Sequence, residues 1–313
     1  MQPADLGPKV FSTVGLPAGR RVELWETHNA TALIGLDVHA SEPLVATELN
    51  VHFPHVDLAR VGGSPHVVRR TKKVIERSPT SAIVVYMTLR GDAWFQCPDG
   101  TYALRPGNIL ISETDRPFAR GFRRGLDELV VKVDHAALPG APQLSRPVIA
   151  SSHDNGPNGL YARTLARITG RATRTNRPLL ADDDTVRDLV VVLAGGHGTA
   201  PATAHRAAAR SYIEEHLTDP GLGAEQVAAA IGISDRQLSR VFAADSSSIP
   251  RHILSRRLHL AYSILSSVSG AERAETVADI AARCGFTSVS YFSHAFRQHF
   301  GYRAGDIRSH HPA

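Results

Sequence analysis

The sequence predicts a two-domain chain in which an all-β N-terminal half with trailing helices precedes an all-α C-terminal domain. Three observations predict this architecture. The chain has 313 residues, enough for about two domains. Short segments rich in β-branched residues alternate with turn signals between residues 31 and 135, which is typical of a sandwich or small barrel. Beyond residue 205 the apolar residues follow a helical period and include an internal repeat.

Composition and charge place the chain among ordinary globular proteins. Apolar residues make up 42% and charged residues 21% of it, which argues against a disordered or rod-like chain. The net charge of +5 does not by itself identify a nucleic-acid binder. The N-terminus has no basic region followed by an apolar one, and no apolar run approaches the roughly 18 residues of a membrane span. We therefore expect a cytoplasmic protein with no membrane partner.

The N-terminal half begins with an arm and continues as a β domain. Residues 1–20 are rich in Pro and Gly and predict a flexible arm. Residues 21–150 contain strand-like segments such as AIVVYMTL and ELVVKV, separated by turn signals such as Pro98-Asp99-Gly100. An antiparallel barrel of this size can enclose one small ligand. This segment is therefore the candidate ligand-binding domain.

Residues 151–195 predict two amphipathic helices. Their apolar faces carry Leu160, Leu165 and Ile168 in the first helix and Val186, Leu189, Val190 and Leu193 in the second. These helices either close the end of the barrel or present an apolar stripe to a second subunit, and on the second interpretation we predict a homodimer formed here. The small and polar residues 196–205 predict a linker to a C-terminal domain at 206–313.

The internal repeat predicts two helix–turn–helix units. VAAAIGIS (227–234) aligns with IAARCGFT (280–287), and LSRVF (238–242) aligns with FSHAF (292–296). Each copy reads as a short helix, a turn containing Gly232 or Gly285, and a second helix. Capping residues agree: Ser234 with Gln237 and Thr276 with Asp279 have the capping-box spacing, and Ser288 is a cap for the last helix.

A continuous amphipathic helix is predicted between the two copies, over residues 250–267. Eighteen residues span roughly 27 Å, a length suited to holding two outward helices about one DNA turn apart. The predicted outward faces are polar: they carry Arg236, Ser239 and Arg240 in the first copy and Ser290, Ser293, His294 and Arg297 in the second. Two capped copies on a connecting rod predict binding to successive major grooves of double-stranded DNA.

On these motifs the C-terminal hundred residues resemble the arabinose-operon regulator (AraC/XylS) class of bacterial transcription regulators. The resemblance rests on AIGISDRQLSRVF, RRLHLAYSIL and VADIAARCGFTSVSYFSHAFRQHFGYRAGDIR. The chain departs from the family pattern at Ser246, where Gly is usual, and at Ala304, where Pro is usual. The N-terminal half is similar to the cupin-like sensor domains of one branch, on GSPHVVRRT and on LRPGNILI followed by DRPF.

The resemblance implies a DNA-binding transcription regulator, expected to be an activator, whose barrel senses a small organic effector. Its partners would be an operator, that effector, a second subunit and RNA polymerase. The two recognition helices would read DNA bases, and Ser288 and Arg297 would hold phosphates. The residues that would read bases are Arg236, Ser239 and Arg240 in the first recognition helix and Ser290, Ser293 and His294 in the second.

The β domain offers candidate ligand residues but no catalytic set. His66 and Arg70 are expected to face the barrel and bind an anionic ligand group. One of Trp94 and Phe95 is expected to point inward, where it fills the core or stacks on a ligand, and Trp94 is the ligand candidate. No metal or other cofactor is predicted, because the paired histidines and glutamate of a facial metal site are missing around His52.

Two other functions compete with a non-enzymatic regulator. One is a cupin-like metal enzyme with a helical appendage, which the missing ligand set disfavours. The other is an adaptor whose helical repeat binds another protein. The two cysteines, Cys97 and Cys284, lie too far apart in sequence for a CxxC zinc site or a disulfide framework. Cys284 takes the place of Ile231 in the repeat and is expected in the core.

Overall fold

The computed structural model describes residues 9–174, 181–195, 201–243, 248–267 and 275–309. These residues fall into two compact units: one runs to Arg174 and takes in most of the helix Ala181–Gly195, and the other begins at Pro201. The N-terminal unit is rich in sheet and the C-terminal unit is helical, so the predicted fold class is confirmed. Strands and helices are numbered below in chain order.

Two antiparallel sheets build the N-terminal unit. The larger has, in spatial order, β1 (Lys9–Ser12), β3 (Ala46–His52), β4 (Val56–Gly63), β11 (Leu126–Asp134), β6 (Ala82–Arg90), β9 (Asn108–Glu113) and β12 (Val148–Ser151). The smaller has β2 (Asp37–His39), β5 (His66–Arg70), β10 (Phe118–Phe122), β7 (Ala93–Cys97) and β8 (Gly100–Leu104).

The core of this unit lies between the two sheets. Val61, Val84 and Tyr86 of the larger sheet pack in one cluster with Phe95 and Phe118 of the smaller one. Strand β6 is apolar along almost its whole length and is buried from Ala82 to Thr88, because it lies in the middle of its sheet between β11 and β9. The sheets thus enclose an apolar interior, as the strand pattern predicts.

Over the described residues, four α-helices belong to the N-terminal unit: α1 (Arg21–Ala32), α2 (Lys72–Arg77), α3 (Pro157–Ala172) and α4 (Ala181–Gly195). The sequence analysis predicts α3 and α4 but not the first two. In α1 only Trp25, Asn29 and Ala32 are buried, and the polar residues between them hide the helical period. Short 3-10 turns occur at Ala18–Arg20 and His135–Ala137.

Part of the predicted flexible arm is ordered sheet. Residues 1–8 lie outside the described residues, but Lys9–Ser12 pairs with β3 as its edge strand. The hydroxyl of Thr13 donates to the carbonyl of Leu44 at 2.9 Å and accepts from the amide of Ala46 at 2.8 Å, which fixes the chain just beyond the strand. The apolar pair Val10-Phe11 supplies strand propensity that the flanking Pro and Gly residues conceal.

The apolar stripe on α4 is already buried. Leu189 and Leu193 are 0% and 3% exposed, and Val186 and Val190 are fully buried. At the start of the helix, Asp183 accepts a hydrogen bond from the backbone amide of His55 at 3.1 Å. The stripe is therefore not open to a second subunit in this conformation, which favours the alternative that these helices close the N-terminal unit.

Seven α-helices form the C-terminal unit. They are α5 (Pro201–Glu215), α6 (Ala224–Ile231), α7 (Asp235–Ala243), α8 (Ile249–Ser267), α9 (Val277–Arg283), α10 (Val289–Phe300) and α11 (Asp306–Ser309), counted over the described residues. One apolar cluster joins α5, α6, α7 and the start of α8, and a second joins the rest of α8 to α9 and α10. The helix α8 thus links two similar halves.

Helix α5 occupies half of the predicted linker. Residues 196–200 lie outside the described residues, and residues 201–205 are helical. Pro201 suits the first helical position, because its missing N–H would have no partner there, and the alanines that follow favour helix. In the part of the chain that the structure describes, no helix is long and apolar enough to span a membrane.

Candidate DNA-binding surface and ligand cavity

The first helix-turn-helix unit is formed by α6, the turn at Gly232 and α7. Gly232 has φ 72°, a left-handed conformation that glycine adopts without the steric cost of a side chain. Ser234 and Gln237 cap α7 reciprocally: the Ser234 hydroxyl accepts from the Gln237 amide at 3.3 Å, and the Gln237 side chain accepts from the Ser234 amide at 3.1 Å. The predicted capping box is confirmed.

Burial orients α7. Leu238 and Phe242 are almost fully buried in the cluster with α5 and α6. The three residues predicted to read DNA, Arg236, Ser239 and Arg240, are all exposed on the other side. The structure therefore presents them together on one solvent-facing surface, which we call the α7 face.

The second helix-turn-helix unit repeats this plan with α9, Gly285 and α10. Thr276 and Asp279 form a complete capping box at the start of α9, and the Ser288 hydroxyl caps α10 by accepting from the Tyr291 amide at 3.2 Å. Gly285 has φ 84°, and a Cβ placed there would lie 2.9 Å from Nε of Arg257. Glycine is needed here both for its conformation and for space. Cys284 is fully buried, as predicted, and burial raises the pKa of its thiol to about 11.

Helix α10 exposes more than the predicted polar residues. Phe292, Ala295 and Phe296 face the core. The predicted DNA-contacting residues Ser288, Ser290, Ser293, His294 and Arg297 are all exposed. Val289 and Tyr291 are also exposed, at 44% and 55%. The sequence analysis omits this apolar pair, although neither residue fits the inward period of the helix. Together these side chains form what we call the α10 face.

A buried ion pair fixes α5 against the connecting helix α8. Nε of Arg256 donates to Glu214 at 2.5 Å, and both side chains are 2% exposed. Nearby, burial and the charges of Arg210 and Arg256 lower the pKa of His252, so this imidazole is neutral. A buried pair of this kind is costly to break on one side only, because the remaining charge loses its partner. It therefore sets the position of α8, which carries the two recognition helices.

A small cavity of about 40 Å³ lies between the sheets of the N-terminal unit. Its walls are mainly apolar, and α1 with the segment after it contributes Trp25, Leu33, Ile34 and Leu36. The polar lining side chains are Asn29, His66, Tyr86, Arg120, Glu128 and Lys132. A drug-sized ligand occupies several hundred cubic ångströms, so the cavity as it stands holds only a few atoms.

Arg120 and Glu128 form the strongest polar contact in the cavity wall. Two parallel hydrogen bonds of 3.0 and 2.6 Å join them, and the guanidinium lies 3.6 Å from the centre of the Tyr86 ring. Burial alone would lower the pKa of Arg120. The attraction of Glu128 and the contacts with Tyr86 outweigh this effect, so the pKa of Arg120 is raised. Burial raises the pKa of Tyr86 to about 12. The sequence analysis does not identify this pair, because its members lie on strands of different sheets.

Among the three predicted ligand residues, only His66 lines this cavity. Its Nδ1 lies 2.7 Å from the carbonyl oxygen of Ser64, and its ring packs 4.9 Å from that of Phe122. Burial lowers the pKa of His66, so the ring is neutral and donates from Nδ1. This leaves Nε2 as a hydrogen-bond acceptor beside the cavity.

Arg70 and Trp94 lie elsewhere. The guanidinium of Arg70 is fully buried and donates to the carbonyl oxygens of Thr114, Gly35 and Ser78 and to the Asp115 carboxylate at 2.6 to 2.9 Å. It ties loops together and is not a cavity-lining residue. Phe95 is the aromatic residue that faces the core, whereas Trp94 points outward over Gly121 and lines an open surface depression. Strand alternation allowed either assignment.

The histidines considered for a metal site do not converge. His52 pairs with Asp57 at 2.7 Å, and His55 is exposed in the following turn. Among the described residues, no three His, Cys, Asp or Glu side chains are grouped so that they could hold a metal ion.

Comparison with known proteins agrees with this architecture. Residues 30–197 match the AraC-binding-like domain, and residues 227–310 match a helix-turn-helix domain. Over 272 residues the chain is 24% identical to the transcriptional activator NphR of Rhodococcus sp, a match that covers 83% of this chain and 79% of NphR. A 125-residue match to the transcriptional activator RhrA of Rhizobium meliloti (strain 1021) is 31% identical and spans only 39% of each protein.

Among solved structures, the AraC-like transcriptional activator CuxR is 19% identical, with a TM-score of 0.48, and the match covers 82% of this chain and 95% of CuxR. A β-sheet unit followed in the chain by two capped helix-turn-helix units defines a DNA-binding regulator with a ligand-binding domain. The chain belongs to the AraC family of transcription regulators.

Proposed function

We propose that this protein is an effector-responsive transcription activator that reads an operator with the α7 and α10 faces. One observation carries the proposal: each recognition helix is capped, buried on one side and exposed on the side that holds the predicted contact residues. The naming of NphR and RhrA as activators supports the direction of regulation. An activator also needs a contact with RNA polymerase, which we include in the proposal.

The α7 face is proposed to supply most of the sequence discrimination. Arg236 and Arg240 are exposed, and an arginine can donate two parallel hydrogen bonds to O6 and N7 of a guanine. Such a pair discriminates against a wrong base by about 1–3 kcal/mol. Ser239 lies between them and can contact either a base or a phosphate.

The α10 face is proposed to act mainly through phosphates and apolar contact. Arg297 would pair with a phosphate, and the exposed amide end of the helix at Ser288 would lie near another. Ser290, Ser293 and His294 would make the less selective base contacts. Val289 and Tyr291 add apolar surface suited to the methyl group of thymine.

The N-terminal cavity is proposed as the effector site, with α1 and residues 33–36 as its movable wall. A cavity of about 40 Å³ excludes an organic effector, so binding requires that one wall move outward. This segment is the best candidate because it contributes Trp25, Leu33 and Ile34 to the lining of the cavity.

A homodimer formed through residues 151–195 remains part of the proposal. Because Leu189 and Leu193 are buried within the chain, we place the contact on the polar outer surface of α3 and α4, where Arg163 and Asp184 are exposed. Light scattering of the purified protein tests this, and a monomeric mass at micromolar concentration contradicts it.

A mobility-shift assay with the DNA upstream of the protein's own coding region tests the main proposal. The wild-type protein should retard a specific fragment, and Arg240→Ala should weaken that complex. Arg77→Ala is the matched control, because it removes one exposed arginine from the N-terminal unit. Equal binding by the two variants, or binding that does not discriminate between DNA sequences, contradicts the proposal.

A further inference from the structure

The inner side of strand β3 carries a cluster of hydrogen-bond acceptors that lack donors. Glu48 and Asn50 alternate with outward residues along the strand and are 0% and 1% exposed. Within the described residues, neither carboxylate oxygen of Glu48 nor Oδ1 of Asn50 has a hydrogen-bond partner. Nε2 of His28 lies 3.7 Å from a carboxylate oxygen of Glu48. Three buried acceptors without donors are costly unless something supplies N–H or O–H groups.

This cluster adjoins the cavity. Glu48 pairs with Val61 on β4, and Val61 pairs with Glu128 on β11, so the three side chains form one row on the same side of the sheet. Val61 and Glu128 both line the cavity. On the other side of Glu48, its partner across β1 is Phe11, whose ring stacks on that of His28 at 4.3 Å. The ring centre of Trp25, a cavity-lining residue, lies 6.0 Å from that of Phe11.

Among the charged groups described around this interior, the carboxylates outnumber the cations. Arg120 is bound to Glu128, and Lys132 is bound to Asp57 at 2.7 Å. Glu48 faces His28 from α1, Glu128 from β11 and His52 from its own strand. Burial lowers the pKa of His28, so this ring is neutral, and the Asn50 amide donates to it at 3.1 Å. Among the described acids of this interior, Glu48 is left without a counter-ion.

We propose that the effector is a small organic cation, an amine joined to an apolar or aromatic group. Its ammonium would donate to Glu48 and Asn50, and its hydrocarbon part would occupy the adjoining cavity against Trp25. An ammonium group carries three donors and a positive charge, which match three acceptors and one unpaired carboxyl. Aromatic rings beside a carboxylate are a recurrent way of binding organic cations. This inference rests on the proposed sensor function and specifies its ligand.

In the apo protein the Glu48 carboxyl is about half protonated near neutrality. Burial raises its pKa to about 7; the nearby Asn50 side chain opposes this shift although it lies outside hydrogen-bond geometry, and Glu128 adds to the shift. An ammonium ion binds the ionised form, so its affinity should rise with pH while the amine itself stays protonated. With half-ionisation at about pH 7, the ionised fraction rises about ten-fold between pH 6 and pH 8.

The test uses the full-length protein and three probes of the same size: benzylamine, benzyl alcohol and benzoate. Calorimetry and thermal denaturation should show that benzylamine binds and stabilises, with affinity about ten-fold higher at pH 8 than at pH 6. Benzyl alcohol and benzoate should bind at least ten-fold more weakly. Glu48→Gln should abolish the preference for the amine, whereas Glu42→Gln, an exposed change of the same charge, should preserve it.

Three results overturn the inference: tighter binding of benzoate or benzyl alcohol than of benzylamine, benzylamine affinity that is the same at pH 6 and pH 8, or unchanged amine binding by Glu48→Gln. The pH series uses the unmodified protein, so it decides the matter even if Glu48→Gln does not fold. Operator binding by the apo protein is measured separately. If DNA is bound and only the neutral or anionic probe enters the cavity, the regulator stands and the cationic effector fails.

Discussion

The two turn glycines of the repeat give a matched pair of substitutions with different expected costs. Gly232 has φ 72° and Gly285 has φ 84°, so alanine is strained at both sites by about 1–2 kcal/mol. Their surroundings differ. No heavy atom lies within 4 Å of a Cβ built on Gly232, whereas a Cβ on Gly285 lies 2.9 Å from Nε of Arg257 and 3.1 Å from the carbonyl oxygen of Leu217.

The extra cost at Gly285 is the loss of the Arg257 contacts. Its guanidinium donates to the carbonyl oxygen of Leu217 at 3.0 Å and to that of Asp219. A hydrogen bond from a charged donor contributes about 1.5–3 kcal/mol, and we take about 1 kcal/mol each because Arg257 is only partly buried. Gly285→Ala should therefore cost about 3–4 kcal/mol in the free energy of unfolding, against about 1–2 kcal/mol for Gly232→Ala.

Urea denaturation followed by the helical circular dichroism signal measures both changes, because the larger share of the described helical residues lies in the C-terminal unit. Binding to the operator fragment is measured in parallel in the absence of urea. Costs that agree within about 0.5 kcal/mol, or a larger cost for Gly232→Ala, would show that the close approach of Arg257 does not constrain the second turn.

Further predictions concern DNA reading and the N-terminal unit. Arg240→Ala should cost about 1–3 kcal/mol in operator binding and relax base preference in one half of the site in random-site selection. Arg297→Ala should weaken binding on all sequences and reduce the salt slope by about 1. Arg70→Ala should lower the free energy of unfolding by about 2–4 kcal/mol in denaturation of the full chain, because it removes the guanidinium that donates to the carbonyl oxygens of Thr114, Gly35 and Ser78. Because the pKa of Glu48 is about 7 in the fold and lower when unfolded, the apo protein should lose about 1 kcal/mol between pH 6 and pH 8, and Glu48→Gln should not.

The C-terminal unit is the part that sequence reasoning predicts best, because its signals are local. A capping residue lies three positions from its partner, as Thr276 and Asp279 do, and the turn glycine follows its helix within two residues. Because the helix-turn-helix motif is repeated, each of these local signals occurs in both copies. The same reasoning misjudged Pro201, because a proline followed by small residues fits either a linker or the first turn of a helix.

Long-range pairing explains what sequence reasoning missed in the N-terminal unit. Trp94 and Phe95 are adjacent, and strand alternation sends one inward without saying which, until the pairing of β7 with β10 fixes the register. Arg70 follows His66 by four positions in the same strand, yet its long side chain turns toward loops that are remote in sequence. The cavity wall around Arg120 is formed by strands of both sheets, so no local sequence pattern identifies its residues.

The position of the Arg120–Glu128 pair suggests how cation binding could be transmitted through the barrel. Arg120 lies on β10 of the smaller sheet and Glu128 on β11 of the larger one, so their two hydrogen bonds hold the sheets together across the interior. Glu48 shares a row with Glu128, with only Val61 between them. An ammonium ion at Glu48 would therefore also attract Glu128 and weaken its hold on Arg120. Because a buried guanidinium without its carboxylate is costly, the two sheets would have to adjust, and the adjustment would reach α1 through Trp25.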